Sequence, residues 1–480
     1  MCTVWPLSRI QRKLPRVRTL AHAGVSIRCA IWAHACVKTR AAWIAFQTVG
    51  AGGDRLSRLM RVTLRRSWTF VLLCVLSTST RTGSAQRPED VVGLLREVSV
   101  RRALDIVQRS EPDTIREQIR LCEVPAPPFG EAARAAVYAQ AMRDAGLARV
   151  RIDSEGNVLG ERPGRSAVPH LVLSAHLDTV FPAEVPVRVT RDGSRLHGPG
   201  IGDDCRGLAV VLAVARALNA AGVQTNRPIT FVGTVGEEGL GDLRGVKALF
   251  GGTLKGQIDK FVSVDGDGYG ITHVGVGSRR YRITFRGPGG HSYDDFGRAN
   301  PVSALGLAIT SISRLRVLST PKTTFSVGRV GGGTSINAIA TDAWMEVDLR
   351  SSDEAALTDL DARMRSAVRG ALEEENGRRK GPQPLTVAVD PVGRRPAGQT
   401  PQGTPMVEAA VAAVKALGLP VRLDEGSTDA NLPMSVGIPA LTVGGGGAGR
   451  DAHTPQESFD TTDSWKGTQL VTLLAVALAR

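Results

Sequence analysis

The chain has 480 residues, and its 60 Lys and Arg against 46 Asp and Glu give a formal net charge of +14. Residues 1–85 hold 14 of the basic residues and one acid, so residues 86–480 carry a net charge of only +1. A nearly neutral globular part lacks the basic face that nucleic acid requires, so we predict no nucleic-acid partner. Cys122 and Cys205 are the cysteines left after residue 86, which excludes a disulfide scaffold. About 395 residues are enough for two domains with their own cores.

Residues 60–85 have the pattern of a secretory signal peptide. A basic segment after Met60 is followed by an apolar run at 68–76 and by small residues before Gln86. The run is too short for a stable membrane span, so we predict a secreted or periplasmic protein that begins near Gln86. Because signal peptides begin at the initiating methionine, we also predict that residues 1–59 are not part of the native protein. A basic N-terminal extension is the alternative.

The region after the signal peptide predicts an α/β domain. Helical spacing occurs in three stretches: 91–108, 130–146 and the almost wholly apolar 207–221. Short apolar runs that predict buried strands lie at 170–175, 229–235 and 260–264. Continuous apolar strands that alternate with helices are typical of a mostly parallel sheet with helices on both faces.

From about residue 273 the pattern indicates a second kind of domain. Its predicted strands and helices follow the order β-α-β-β-α-β, at 281–285, 301–316, 323–330, 343–350, 353–376 and 384–389. That order is ferredoxin-like. Helix–strand alternation of the first kind resumes at 403–418, 439–443 and 465–480. We therefore predict one domain from 86–272 and 390–480, an inserted domain from 273–389, and loops or linkers near 287–290 and 391–405.

Acids and histidines follow the predicted strands of the first domain. They are His176 and Asp178, Asp203 and Asp204, Glu237 and Glu238, Asp265 and Asp267, and His453. Open α/β sheets bind ligands outside the carboxyl ends of their strands, and two histidines with three carboxylates suit a pair of divalent ions. Asp178 shares a face with His176 and is a candidate to orient its ring. A solvated loop explains any one of these clusters but explains all of them poorly.

The glycine run at 198–202 has a superficial likeness to a dinucleotide fingerprint. A lone glycine pattern is weak evidence for nucleotide binding. The run also leads directly into Asp203 and Asp204, which would repel a pyrophosphate. We therefore do not predict a nucleotide.

Taken in order, these motifs resemble the co-catalytic di-zinc hydrolases that include peptidase T, glutamate carboxypeptidase, aminoacylase, acetylornithine deacetylase and succinyl-diaminopimelate desuccinylase. The resemblance covers roughly residues 95–480. Its motifs are Ser-Ala-His-Leu-Asp at 174–178, Gly-Pro-Gly-Ile-Gly-Asp-Asp at 198–204, Glu-Glu at 237–238, Gly-Gly-His-Ser at 289–292, Gly-Gly-Gly-Thr-Ser-Ile-Asn at 331–337 and Asp-Leu-Arg at 348–350, with Asp265 and His453. It implies a zinc-exopeptidase-like catalytic domain with an inserted lid or dimerisation domain. It also implies two divalent metal ions, Zn²⁺ first, with Co²⁺ or Mn²⁺ as alternatives.

The resemblance also implies a role for each matched position. The metal ligands would be His176, Asp203 as the bridge, Glu238, Asp265 and His453. Glu237 would be the general base, Asp178 would orient His176, His291 would help to hold the developing oxyanion, and Asn337 and Arg350 would bind substrate. The sequence departs from the family at Cys205-Arg206, where a Lys is frequent. A thiol so close to the site raises the question of redox sensitivity, and a packed small side chain is the alternative.

The implied reaction is hydrolysis of a terminal amide bond in a small peptide or an N-acyl amino acid. Within this family an Asp at position 265 is associated with aminopeptidases and dipeptidases, so we expect a peptidase-T-like aminopeptidase. A carboxypeptidase or N-deacylase on the same site is the alternative. A non-catalytic peptide-binding relative is more remote, because neither a ligand nor the base is missing. A homodimer through the inserted domain is one assembly that the resemblance implies.

Overall fold

A computed structural model describes residues 88–379, 381 and 383–480, so the predicted signal peptide and start site lie outside the described residues. The helices of this part are α1 Pro88–Leu94, α2 Val98–Arg109, α3 Glu111–Cys122, α4 Ala132–Asp144, α5 Cys205–Ala220, α6 Arg244–Ala248, α7 Pro301–Ser313, α8 Glu354–Arg378, α9 Pro405–Ala416, α10 Asn431–Ser435 and α11 Trp465–Leu478. The strands are β1 Ala148–Ile152, β2 Val158–Arg162, β3 His170–His176, β4 Thr190–Asp192, β5 Arg195–His197, β6 Ile229–Thr234, β7 Ile258–Val264, β8 Ile271–Gly275, β9 Gly277–Arg286, β10 Gly290–His291, β11 Thr323–Gly332, β12 Ala338–Ile339, β13 Asp342–Ser351, β14 Thr386–Arg395, β15 Gly398–Gln399, β16 Leu423–Gly426, β17 Ala440–Val443, β18 Ala448–Arg450 and β19 Ser458–Asp460.

A nine-stranded sheet forms the centre of the first domain. Its order is β1-β2-β6-β3-β7-β17-β8-β15, and β16 also pairs with β8. The four inner strands β6, β3, β7 and β17 are parallel, whereas β1, β2 and β15 pair in the antiparallel sense. Strands β3 and β6 are buried along their whole length, which is why they read as continuous apolar runs. The predicted α/β fold with a mostly parallel sheet is confirmed.

Helices cover both faces of this sheet because side chains alternate along each strand. Leu171 and Leu173 of β3 belong to an apolar cluster that includes α5 and α11, whereas Val172 belongs to a cluster with α6 and α10. The helix α5 is buried almost all round, in agreement with its uniformly apolar sequence.

The N-terminal helices differ from the prediction. The single helix expected over 91–108 is wrong, because the chain turns at residues 95–97 between α1 and α2. Helix α1 packs on α9 and helix α2 packs on α11. The two segments therefore form separate helices with different packing partners. Helix α3 was not predicted, although Pro112 and two acids in its first turn are helix-start signals.

The inserted part is a four-stranded antiparallel sheet of order β11-β13-β9-β14, which confirms the ferredoxin-like arrangement. Alternate residues of β9 and β13, such as Ile283 and Met345, pack with α7 and α8 in a separate apolar cluster. Strand β14 continues to Arg395, so the linker predicted over 391–405 is wrong in its first five residues. The strand reaches past Pro391 because the ladder shifts register between Pro391 and Gly393.

A small sheet of order β18-β19-β5-β4 joins two distant parts of the chain. Ser458 of β19 pairs with His197 of β5, so the loop at 198–204 lies beside the loop at 451–457. These two loops carry Asp203 and His453.

In the described part of the chain, no helix is long and apolar enough to cross a membrane.

Candidate metal centre

The parallel strands bring the predicted ligands together at one edge of the central sheet. His176 pairs with Thr234, the last residue of β6, and Val443 of β17 pairs with Val264, the last residue of β7. The residues that follow β6 and β7 therefore leave the sheet close to His176. They are the Glu237–Glu238 pair and Asp265.

Among the described residues, three groups of side chains could hold a metal ion. One is His176 with Glu237 and Glu238, and the other two consist of predicted metal ligands that share Asp203. His176, Asp203 and Asp265 make one cluster, and Asp203, Glu238 and His453 make the other, with ligand atoms within 4.8 Å of one another. Oδ1 of Asp203 lies 2.9 Å from Nε2 of His176, and Oδ2 lies 3.0 Å from Nε2 of His453. The backbone of His453 has φ +65°, a conformation that is uncommon for residues other than glycine. The structure thus places Asp203 between the two histidines, where the resemblance puts a bridging ligand.

Asp178 acts on the site differently from the prediction. The Nδ1 atom of His176 lies 2.9 Å from the backbone carbonyl oxygen of Asp178 and 3.8 Å from its carboxylate. The carboxylate instead accepts the backbone N–H groups of Glu237 and Glu238, at 3.0 and 2.8 Å. Asp178 therefore orients His176 through its main chain and fixes the Glu237–Glu238 loop through its side chain. The predicted contact between the Asp178 carboxylate and the His176 ring is therefore wrong, and the backbone carbonyl of Asp178 makes that contact instead.

Asp204 also positions the site, and its role was not predicted. Its buried carboxylate caps the N-terminus of α5 through the N–H of Gly207 at 2.9 Å and accepts the N–H of His176 at 3.0 Å. A Cβ atom on Gly207 would collide with this carboxylate and with the carbonyl oxygen of Val264. An Asp immediately before an apolar helix is an N-cap signal that could have revealed this role.

The charge balance of the site fits divalent cations. Burial and, after it, the nearby charge of Asp203 raise the pKa of Asp265 to about 7. Burial likewise raises the pKa of Glu237 well above its usual value, although Arg395 opposes the shift. Hydrogen bonds to Asp203 and Glu238 raise the pKa of His453 to about 10. Added positive charge stabilises the ionised form of carboxyl groups that are crowded together. The histidine nitrogens and carboxylate oxygens of the site are also ligands that suit a pair of divalent metal ions.

A cavity of about 330 Å³ opens beside these groups, and three arginines line it. Arg395 is buried and donates to Oε1 of Glu237 at 2.9 Å and to the backbone carbonyl of Glu237. Arg280 donates to the carbonyl oxygen of Gly239 at 2.6 Å. Arg350, a predicted substrate-binding residue, also lines the cavity. Arg280 and Arg395 were not predicted. They lie on β9 and at the end of β14, and these strands reach the site only through the packing of the inserted part, which the local sequence does not indicate.

The other two predicted residues lie elsewhere in the inserted part. His291 and Asn337 are neighbours, since β10 pairs with β12 and the N–H of Ser292 donates to the carbonyl oxygen of Asn337 at 3.0 Å. Both are exposed, and neither lines the cavity or belongs to a ligand cluster. The structure therefore does not bring them to the metal ligands.

Cys205 is buried at the start of α5, within an apolar cluster that also contains Cys122. The Sγ atom of Cys122 donates weakly to the carbonyl oxygen of Pro199 at 3.4 Å. Burial raises the pKa of the Cys122 thiol well above its usual value. At Cys205 burial also acts to raise the pKa, but the hydrogen bond with Cys122 and nearby positive charge together outweigh it and lower the pKa of that thiol. The burial of Cys205 fits the alternative of a packed small side chain.

The fold and the site define the class of the protein as a metal-dependent peptidase or amidohydrolase. The model of peptidase family M20/M25/M40 matches residues 172–477, and the chain belongs to this family. Among curated proteins, the chain is 26% identical over 298 residues to carboxypeptidase G2 of Pseudomonas sp. (strain RS-16), covering 59% of this chain and 68% of that one. It is 25% identical over 239 residues to acetylornithine deacetylase of Yersinia pseudotuberculosis, covering 46% and 59%.

Among solved structures, the fold is similar to that of aminopeptidase PepT from Bacillus cereus ATCC 10987. The TM-score is 0.62 at 22% sequence identity, and the match covers 77% of this chain and 99% of that one. This likeness extends the shared fold beyond the residues that the family model matches. The inserted part lies within the residues that the family model matches, so it belongs to the shared architecture.

Proposed function

We propose that the protein is a peptidase-T-like aminopeptidase that removes a terminal residue from small peptides with the help of two divalent metal ions, of which Zn²⁺ fits best. The observation that carries this proposal is the pair of ligand clusters that share Asp203. We further propose that it acts outside the cytoplasm. The signal-peptide pattern of residues 60–85 supports this location.

The two clusters would hold one ion each. His176, Asp203 and Asp265 would bind the first, and Asp203, Glu238 and His453 the second. Ions at such sites lower the pKa of water and polarise a carbonyl group. Cobalt and manganese accept the same nitrogen and oxygen donors.

Glu237 is the proposed general base. Its backbone is fixed by Asp178, and its Oε1 accepts from Arg395, which leaves Oε2 to take a proton from the attacking water. Burial raises its pKa, which favours the protonated form that delivers the proton to the leaving amine.

The arginines of the cavity suit the carboxylate end of a short peptide. Arg350 donates through Nε to Asp348 at 2.7 Å, and its two terminal nitrogens remain for a substrate carboxylate. Arg280 also bonds Asp348, so one acid serves two guanidinium groups and the pair keeps a positive charge. A guanidinium binds a carboxylate through two parallel hydrogen bonds, which favours substrates with a free C-terminus.

His291 is the proposed oxyanion donor. Its Nδ1 lies 3.4 and 3.3 Å from the backbone nitrogens of Tyr293 and Asp294 and 3.3 Å from the Asp294 carboxylate, which leaves Nε2 as the ring nitrogen to face the substrate. It would reach the reacting carbonyl by closure of the inserted part or from the second subunit of a homodimer. Asn337 would move with it, because β10 and β12 are paired.

A carboxypeptidase or an N-acyl amino acid deacylase is the second candidate. The specific observation in its favour is the same arginine group, because a carboxylate on the leaving amino acid would bind there without any need for a free amine. The chain is similar to carboxypeptidase G2 and to acetylornithine deacetylase, whose names give a carboxypeptidase and a deacylase activity.

Hydrolysis of matched tripeptides separates the two candidates. An aminopeptidase should cleave the free tripeptide and fail on its N-acetylated form, whereas a carboxypeptidase or deacylase should cleave the N-acetylated form. Arg350→Met should raise KM for free-acid substrates roughly 10-fold or more, the order of one charged hydrogen bond, and should change KM little for the C-amide. Equal rates on acetylated and free peptides would contradict the aminopeptidase assignment.

A further inference from the structure

Glu457 is a buried carboxylate whose acceptor bonds all go to one loop. Its Oε2 accepts the N–H of Gly200 at 2.8 Å, and its Oε1 accepts the N–H groups of Gly202 at 2.8 Å and Asp203 at 3.0 Å. Its side chain forms no salt bridge within the described part of the chain, and the residue is 2% exposed. A buried anion without a cation is costly unless several donors converge on it, as three do here.

The loop at 198–203 depends on this carboxylate for its shape. Gly200 has φ +78°, and the N–H groups of Gly200, Gly202 and Asp203 all point to one side. On the other side, Gln118 donates to the carbonyl oxygen of Ile201 at 2.7 Å. The loop is therefore held from both sides by residues outside it.

The last of the three N–H groups belongs to Asp203 itself. This contact fixes the backbone from which the Asp203 carboxylate extends, and each oxygen of that carboxylate meets a different histidine. A small rotation of the loop would turn one oxygen away from His176 or His453. The position of Asp203 is thus set by Glu457 at its backbone.

We propose that Glu457 is a positioning residue of the metal site, which holds the backbone of Asp203 so that both of its carboxylate oxygens face the two ions. This role goes beyond the proposed function, which assigns ligands and a base, and it rests on the proposed metal site but not on the choice of substrate. Glu457 does not touch the reacting atoms. It acts through Asp203.

Zinc affinity in the full-length protein tests this role. The metal-free protein would be titrated with Zn²⁺ in competition with a chromogenic chelator, and the melting temperature of the metal-free form would be recorded by circular dichroism. In Glu457→Gln an amide NH₂ replaces one carboxylate oxygen, so at least one loop N–H faces a donor instead of an acceptor. We expect zinc affinity to fall about 10–100-fold while the metal-free protein keeps a cooperative transition.

Glu111→Gln is the matched control. Glu111 is another buried carboxylate of the same domain, and it accepts from Arg206 and Ser464, not from the loop of Asp203. We expect this variant to lower the melting temperature and to leave zinc affinity within about twofold of wild type. The control thus separates a loss of metal positioning from a loss of stability.

A second variant keeps the test decisive if Glu457→Gln does not fold. Gly202→Ala places a Cβ atom 3.2 Å from Oε1 of Glu457 and pushes the carboxylate from the loop without removing its charge. It should lower zinc affinity several-fold. Wild-type affinity in the folded variants, or equal affinity losses in the position 457 and position 111 variants, would overturn the proposal. Failure of the wild-type protein to bind two ions would instead remove the proposed metal site.

Discussion

Asp203 and Glu237 lie at the same edge of the central sheet but have different partners. Asp203 contacts both histidines, whereas Glu237 is bound by Arg395 and is grouped with His176 and Glu238 but not with Asp203. The neighbour of Glu237, Glu238, lies 3.0 Å from Nε2 of His453. Two adjacent acids are therefore separated into one proposed base and one proposed ligand.

The separation predicts opposite effects for the same substitution. Glu237→Gln should keep zinc bound and reduce kcat by roughly 10²–10⁴-fold, because it removes the proton acceptor. Glu238→Gln should lose zinc, because it removes a ligand oxygen. Elemental analysis of both purified variants, together with steady-state kinetics, measures the two effects. Equal loss of zinc from both variants would show that the base is wrongly assigned.

At the residue scale, the sequence could predict the groups that follow long apolar strands. His176 is the last residue of β3, Glu238 lies in the loop after β6, and Asp265 directly follows β7, so strand order alone places them together. Arg395 and Glu457 could not be predicted in this way. Each reaches the site through pairing with a distant strand, β9 for Arg395 and β5 for the residue after Glu457.

At the element scale, the short sheet of β4, β5, β18 and β19 determines where the proposed bridging ligand, Asp203, lies. Its strands have three residues each, too few for a periodic pattern in the sequence. The long elements of the inserted part, by contrast, have alternation or helical spacing over ten or more residues and were predicted in the correct order. Long-range pairing of short strands is the part of the fold that local sequence does not specify.

Helix α5 is tied to two other helices by Arg206, the residue that stands where the family frequently has Lys. Its guanidinium is fully buried and donates to Glu111 at the start of α3, to Thr468 of α11, and to two backbone carbonyl oxygens. A Lys could not satisfy so many acceptors, because it lacks the planar fork of donors. The loop at 198–203 therefore ends next to a junction of three helices.

Replacing Arg206 tests this junction. Arg206→Met should lower the free energy of unfolding by about 3–5 kcal/mol, because it leaves the Glu111 carboxylate buried without its partner. The control is Arg216→Ala on the same helix, whose partly exposed pair with Glu117 at 3.8 Å should contribute less than about 1 kcal/mol. Urea unfolding of both variants gives the comparison. Similar losses in the two variants would show that the buried pair does not hold the helices together.

At the scale of the whole molecule, the proposed oxyanion donor is separated from the proposed ligands. His291 lies on an exposed loop of the inserted part, half of its side chain open to solvent. If His291 takes part in the reaction, activity requires either closure of that part or a second subunit. The lid or dimerisation role that the resemblance implies for the inserted domain would meet this requirement.

Mixing two inactive variants distinguishes these arrangements. His291→Ala should lower kcat by about 10²–10³-fold with zinc unchanged, the loss expected for one oxyanion donor. If His291 acts across a dimer, a mixture of His291→Ala and Glu237→Gln proteins should regain activity through hybrid dimers. No recovery in a preparation shown to exchange subunits would favour closure within one chain. Near-normal activity of His291→Ala alone would remove the residue from the mechanism.

Zinc titration of the metal-free protein tests the central claim most directly, because everything above depends on two ions held around Asp203. Zinc would be added in known equivalents while hydrolysis of a free tripeptide is followed. The account predicts that activity appears with zinc and reaches its plateau at two ions per chain, and that Asp203→Asn binds zinc weakly and remains inactive. Full activity in the chelator-treated protein, or a plateau at a single ion with wild-type activity in Asp203→Asn, would contradict it.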